Sequence, residues 1–252
     1  MTWFQRLYET YENVLDNPLF ADEENTLTPI GHTSQQVHII VRIDGKGHFR
    51  GAEFIGKQSV ILPATEDSAG RTSGRVAHPL IDQIKYCAKD YPDYSEEEGY
   101  FGLYEKTLSG WVQSPHSHPM AEAVYAYICK GTLVSDLVRE KLLYLNREGK
   151  LATVAEEGQD IPVFKVLTPK KVNGISQRDQ GNLMIAWQVE IPGENESRTW
   201  TSEALQKSWT AYDASQMSKK GLCMVSGLEM FLANQHPRNI RRHKDCTLRS
   251  HR

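Results

Sequence analysis

Apolar side chains recur every four residues at the start of the chain: Trp3, Leu7, Tyr11 and Leu15, with Phe4 and Val14 beside them. That spacing predicts an amphipathic helix over residues 2–16, ended by Asn17 and Pro18 because proline cannot continue a helix. The period then shifts from helical to alternating. Residues 38–43 (HIIVRI) form a β-branched run, residues 44–47 (DGKG) have hairpin-turn chemistry, and residues 49–56 (FRGAEFIG) read as the returning strand. Residues 59–62 (SVIL), just before Pro63, predict a third strand, so the expected unit is a β-meander. Small and turn-forming residues from 63 to 74 (PATEDSAGRTSG) predict a loop.

Beyond that loop, His78 and Pro79 open an apolar-periodic segment through Leu80, Ile81, Ile84, Tyr86 and Cys87, which predicts a helix. The acidic residues 95–106 (SEEEGYFGLYEK) lead from a loop into another helix, and residues 120–145 predict one or two more with Gly131 as a break. A charged loop follows at 149–160. Residues 162–167 (PVFKVL) and 183–191 (LMIAWQVEI) are expected strands. Thr201 and Ser202 offer hydroxyl caps to a helix over residues 203–217, with Glu203 in its first turn. Residues 221–232 (GLCMVSGLEMFL) read as strand, turn and strand around Ser226 and Gly227. The expected fold class is α+β: an amino-terminal helix, a β-meander, several helices and further late strands, without a doubly wound parallel sheet. Residues 1–252 read as one α+β region. A subdivision at 113 would separate a helix-plus-meander part (1–113) from a helical and β part (114–252).

Composition changes the picture little. With 39% hydrophobic and 24% charged residues, the 252-residue chain is an ordinary globular composition. No apolar run approaches the ~20 residues a membrane span requires, and the mixed charged and apolar start predicts no secretory signal. Cys87, Cys129, Cys223 and Cys246 are scattered rather than paired, which predicts reduced thiols in a cytoplasmic protein. Charge is uneven. The formal net charge is -3, yet residues 236–252 hold six Arg or Lys against one Asp and so carry +5, which leaves -8 on the remainder. A basic segment on an acidic body can seek anions, and it can equally be a solvated tail.

Three constellations bear on chemistry. His116 and His118, with Glu122 downstream, could hold a metal for a hydrolase or nuclease, but the run SPHSHPM is better read as a polar helix entry. Cys223, His236, His243 and Cys246 offer two sulfurs and two nitrogens without the close pairs of structural zinc sites. No nucleophile elbow, phosphate loop, H-E-x-x-H or dinucleotide fingerprint occurs, so neither catalysis nor a cofactor is expected. The third constellation is Gly70, Arg71, Thr72, Ser73, Gly74 and Arg75: two guanidinium groups, two hydroxyls and two glycines in one loop. Glycines admit close backbone approach, and arginine binds phosphate or guanine edges with two parallel hydrogen bonds. Lys46, His48, Arg50 and Lys57 on the meander could extend a positive face, and Lys170, Lys171, Lys219 and Lys220 add basic pairs. A scaffold role would instead use Trp111, Trp200 and Tyr212 as exposed apolar edges.

Taken in order, these segments resemble the large-subunit family of type I-C CRISPR effector (Cascade) complexes. The helical start followed by PIG, the strand-turn-strand HIIVRIDGKGHFRGAEFIG before VILPAT, and RTSG ahead of HPLIDQIKYCAKDY carry the likeness. So do SRTWTSEALQKSWTAYDASQM, with its two spaced tryptophans, and GLCMVSGLEMFLANQHPRNIR. Members of that family continue further, so the chain is expected to be a piece of a longer protein. The resemblance implies a non-catalytic subunit that recognises the protospacer-adjacent motif in duplex DNA and helps open it. Its implied partners are duplex DNA, the CRISPR guide RNA, the backbone and handle-binding subunits of the same complex, and a recruited helicase-nuclease, with no membrane. On this chain the DNA contacts would be Arg71, Thr72, Ser73, Arg75, Lys46 and Lys57. Arg238, Arg241, Arg242 and Lys244 would meet a nucleic-acid backbone.

Overall fold

The structure, a computed structural model, describes residues 3–15, 28–71, 75–156, 158–223 and 225–231. The first helix, α1 (Trp3–Leu15), matches the four-residue apolar spacing, but Trp3, Phe4 and Leu7 are more than half exposed.

The β signal that follows resolves into two long strands rather than three. Strand β1 (His32–Asp44) pairs antiparallel with β2 (Phe49–Pro63), which runs unbroken through both segments read as separate strands. The reason lies at Gly56. The register jumps from Val37 opposite Gln58 to Ile39 opposite Phe54, so residues 55–57 bulge past His38. Gly56 has φ +77°, a conformation a side chain disfavours, and the sequence break it produces is a bulge within one strand.

The helices are α2 (Glu66–Ala69), α3 (Ile84–Cys87), α4 (Tyr91–Tyr94), α5 (Phe101–Val112), α6 (Pro119–Ile128) and α7 (Leu133–Arg139). Two more elements, the hairpin strands β3 (Lys170–Val172) and β4 (Ile175–Gln177), precede β5 (Ile185–Glu190). The chain then forms α8 (Glu203–Gln216) and a hairpin of β6 (Lys220–Leu222) and β7 (Glu229–Phe231). Strand β5 pairs parallel with β1, from Ile39–Ile185 to Asp44–Glu190, giving the sheet order β2-β1-β5. The α+β architecture is thus as expected from the sequence, and Gly131, at φ +70°, separates α6 from α7.

Two expected elements differ. Residues 78–83 are not helical. The carbonyl of Leu80 accepts from Trp187 Nε1 at 2.8 Å and Tyr104 Oη at 2.6 Å, and that of Asp82 accepts from Ile185 N at 3.0 Å. Carbonyls engaged across to β5 cannot also serve helical bonds, so only one turn, α3, forms. Residues 162–165 form a 3-10 turn instead of a strand, burying Val163 and Phe164. A short apolar run opened by proline fits either state by periodicity alone.

The core is densest on one face of the sheet, while Ile40 and Ala186 are buried on the other. Val37, Ile39, Val41, Ile43, Ile185, Trp187 and Val189 are completely buried on the dense face. Trp111 packs edge-on against Trp209 with ring centres 5.2 Å apart, and its Nε1 donates to Ser208 Oγ at 3.0 Å. Trp111 and Trp200 are therefore buried rather than the exposed edges a scaffold would need, and Trp209 and Ser208 on α8 cover Trp111. This single cluster of buried side chains draws on both sides of position 113. Among the described residues no helix is long and apolar enough to cross a membrane.

Candidate nucleic-acid interface

The arginine-flanked loop is built outward from a buried carboxylate. Asp82 sits in an apolar run, fully buried, and must be neutralised where it stands. It accepts from its neighbours on every side: Arg71 Nη2 at 2.7 Å and Nη1 at 2.9 Å, His78 N at 2.7 Å and Gln83 N at 2.7 Å. The two parallel bonds from Arg71 are the fork geometry that a guanidinium makes with a carboxylate. Arg71 Nη1 also donates to the carbonyl of Val76 at 2.6 Å. One side chain thereby ties the backbone on both flanks of residues 72–75 together.

A second layer holds this clamp. Thr65 caps α2 by accepting from Ser68 N, and Ser68 Oγ returns a bond from Thr65 N. The same Ser68 Oγ lies 3.1 Å from His78 Nδ1. His78 is 1% exposed, and burial pushes its pKa down to about 4, so the ring is neutral near pH 7. The nearby Cys87 thiol, fully buried, is pushed far above its ordinary range by the same desolvation.

Between the two arginines stand two tyrosines. Arg71 Cζ lies 4.7 Å from the ring centre of Tyr86, the Tyr86 and Tyr100 rings are 4.8 Å apart, and Arg75 Cζ lies 5.3 Å from Tyr100. Lys85 approaches the Tyr100 ring at 5.9 Å while donating to Asn182 Oδ1. Stacking on an aromatic face orients a guanidinium without consuming its hydrogen-bond donors. Arg75 is exposed, and among the described residues no carboxylate lies within ion-pairing reach of it. The two arginines therefore differ in kind: Arg71 is spent on structure, whereas Arg75 keeps its donors for solvent or a ligand.

Of the expected lysine contacts, neither Lys46 nor Lys57 is gathered around this loop. Lys46 is in the β1–β2 turn, where Asp44 also holds His48 Nδ1 at 2.9 Å and Arg50 Nη2 at 2.8 Å. Backbone and side-chain bonds from His48, with those from Lys46 and Arg50, keep Asp44 ionised far below the usual carboxylate range. That turn lies about 16 Å along β1 from Ile39, the residue level with Asp82 through Ile185. Lys57 is in the bulge opposite His38, with β1 and the start of β5 between it and residue 83. Thr72, Ser73, Arg238, Arg241, Arg242 and Lys244 lie outside the described residues.

Other chemistry-bearing groups have local duties. His118 is the N-cap of α6, its Nδ1 accepting from Met120 N at 3.2 Å, and Glu122 accepts from Ser117 Oγ at 2.6 Å. Among the described residues no group of three His, Cys, Asp or Glu side chains is arranged to hold a metal ion. Cys87, Cys129 and Cys223 are free thiols, with Cys223 half-buried in the turn of the last hairpin. His236, His243 and Cys246 lie outside the described residues. Sequence reading missed Asp82, His78, Ser68, Tyr86 and Tyr100 as parts of the loop's support. The signal available was the acid itself: one carboxylate within the apolar run HPLIDQI demands a cation, and Arg71 is within reach.

A family model described as CRISPR-associated protein (Cas_Csd1) matches residues 7–248 of the chain. No curated protein matches it.

Proposed function

Because the chain belongs to the Cas_Csd1 family of CRISPR-associated proteins, we propose that it is the nucleic-acid-binding large subunit of a type I-C CRISPR surveillance complex. In this reading it recognises the protospacer-adjacent motif in duplex DNA and helps to open the duplex for guide RNA pairing in antiviral defence. Guide pairing reads the long sequence, and the protein reads the short motif and the backbone. The subunit works in the cytoplasm without turnover and without a cofactor. Its partners are the guide RNA, the backbone and handle-binding subunits, and a helicase-nuclease that carries out cleavage.

The observation that carries the DNA-reading role is the unequal pair of arginines. Arg71 closes the loop on Asp82 and Val76, and the exposed Arg75 lies against the tyrosine stack with no carboxylate partner among the described residues. A pre-oriented guanidinium can bond guanine O6 and N7 in the major groove, or a phosphate, with little further ordering. Thr72 and Ser73 belong to the same loop in sequence and supply hydroxyls for either target. Lys46 and Lys57 serve as separate backbone contacts, and Arg238, Arg241, Arg242 and Lys244 as a basic arm on DNA or guide RNA phosphates.

Duplex-DNA binding by the chain at two salt concentrations, with Arg75→Ala beside the wild type, tests this. Affinity falls as salt rises, because phosphate contacts release counterions. Arg75→Ala weakens binding by about 5- to 150-fold, the worth of one two-bond base contact. Equal binding by the variant and the wild type would remove the loop from the interface.

A further inference from the structure

We propose that the β3–β4 ribbon is a second DNA-reading element, one that enters the major groove of duplex DNA while Lys170, Lys171 and Arg178 hold the flanking phosphates. The proposal rests on the reading of the chain as a duplex-DNA binder but uses residues outside the loop described above.

The ribbon is short and sharply closed. Lys170 faces Gln177, Lys171 faces Ser176, and Val172 faces Ile175. Asn173 (φ 50°) and Gly174 (φ 80°) form the two-residue turn with both residues left-handed, the geometry that matches the twist of paired strands. Every residue from 170 to 176 is exposed, and Ile175 and Val172 show 54% and 37% of their surfaces. A two-stranded hairpin with neither face covered has only marginal stability of its own in water. Its β-branched pair near the tip stays outside the core cluster among the described residues, which is what a surface kept for a ligand looks like.

Charge says which ligand. Lys170 and Lys171 have no carboxylate partner among the described residues. Arg178 follows β4 directly. Its backbone N is fixed to Thr153 O at 2.8 Å, its Cζ lies 5.9 Å from the Phe164 ring centre, and its Nε is buried without a hydrogen-bond partner. With Phe164, Asp160 and Lys165 it lines a cleft of about 230 Å³ at the base of the ribbon. Lys165 is paired there with Asp160 at 2.9 Å, so among the described residues Arg178 is the cleft's cation without a carboxylate partner. Unpaired cations at the root and an amide and a hydroxyl along the strands suit a phosphate backbone with base edges between. The B-form major groove, about 12 Å wide, admits a two-stranded ribbon. The major groove of A-form RNA is too deep and narrow for side chains to read, which selects duplex DNA as the partner.

The test follows the full chain on a B-form DNA duplex and on an A-form RNA duplex of equal length, across a salt series. Lys170→Glu/Lys171→Glu should make the dependence of log K on log salt shallower by about 2 on DNA, at roughly 0.9 per phosphate contact. Lys170→Arg/Lys171→Arg should restore the wild-type slope, and the Glu pair should leave RNA binding unchanged. An unchanged DNA slope overturns the proposal, as does an equal loss on both duplexes, which would make the lysines a general polyanion patch. Arg75→Ala in the same series separates the two claims. Loss with Arg75→Ala alone refutes the ribbon and keeps the loop, and loss with the lysine pair alone does the reverse. Absence of any duplex binding refutes both. The substituted side chains are exposed, and an unchanged thermal unfolding midpoint confirms that the fold is intact.

Discussion

Arg71 and Arg75 are four residues apart, and their environments assign them opposite duties. Arg71 is 15% exposed and forked onto a carboxylate with no exposure at all. Breaking a buried pair by removing one partner leaves an uncompensated charge, at a cost of about 3–5 kcal/mol. Arg71→Ala is therefore expected to lose about 3 kcal/mol in a urea titration, and to weaken DNA binding because the loop loses its tie to Val76. Arg71→Lys should recover only part of that, since an ammonium cannot reproduce the two parallel bonds. Unchanged stability alongside lost DNA binding would show instead that the Arg71 guanidinium touches DNA directly. At this scale the sequence was informative about composition and silent about roles. RTSGR announces cations, but which guanidinium is spent depends on Asp82, eleven residues away from Arg71 and read as part of a helix.

The elements show where periodicity decides and where it fails. Helices α1, α5, α6, α7 and α8 follow their apolar spacing, and Ser202 caps α8 as its hydroxyl suggests, accepting from Leu205 N at 3.3 Å. The misread segments are those in which tertiary hydrogen bonds or burial override local preference. Residues 78–83 give up helical bonds to Trp187, Tyr104 and Ile185, and residues 162–165 tighten into a 3-10 turn to bury Val163 and Phe164. The ribbon at 170–177 carried an Asn-Gly signal that the surrounding polar residues masked. The β1–β2 turn is seated against α6 at Gly47. A side chain at Gly47, φ +70°, would stand 2.7 Å from Ala123 O and 2.8 Å from Tyr127 N on α6, whereas one at Gly56, φ +77°, would meet nothing within 4 Å. Gly56→Ala should cost about 1 kcal/mol for its left-handed backbone alone. Gly47→Ala must also lift the hairpin off α6, adding about 2 kcal/mol. Denaturant midpoints for the two variants check the difference, and equal midpoints would mean that the turn does not bear on α6.

At the scale of the whole molecule, one core fixes the relation between the loop and the sheet. Strand β5 lies parallel to β1, Trp187 on β5 bonds the carbonyl of Leu80, and Ile185 bonds that of Asp82, so the carboxylate under the loop is attached to the centre of the fold. The α+β class was legible in the alternation of helical and strand periods. The parallel pairing was not, because β1 and β5 are separated by more than a hundred residues and pair only after the intervening helices pack. The order of segments along the chain pointed to the CRISPR-associated family that the match over residues 7–248 shows. The direct test of the central claim, that this subunit reads a short motif beside the target through the Arg75 loop, is made on the assembled, guide-loaded complex. Duplexes with one guide-matched target and randomised flanks are sorted by binding. Enrichment of one short flank motif with the wild-type subunit, and its loss with Arg75→Ala at unchanged complex assembly, is the expected result. The same enriched motif with both subunits, or enrichment of none with either, would contradict the central claim.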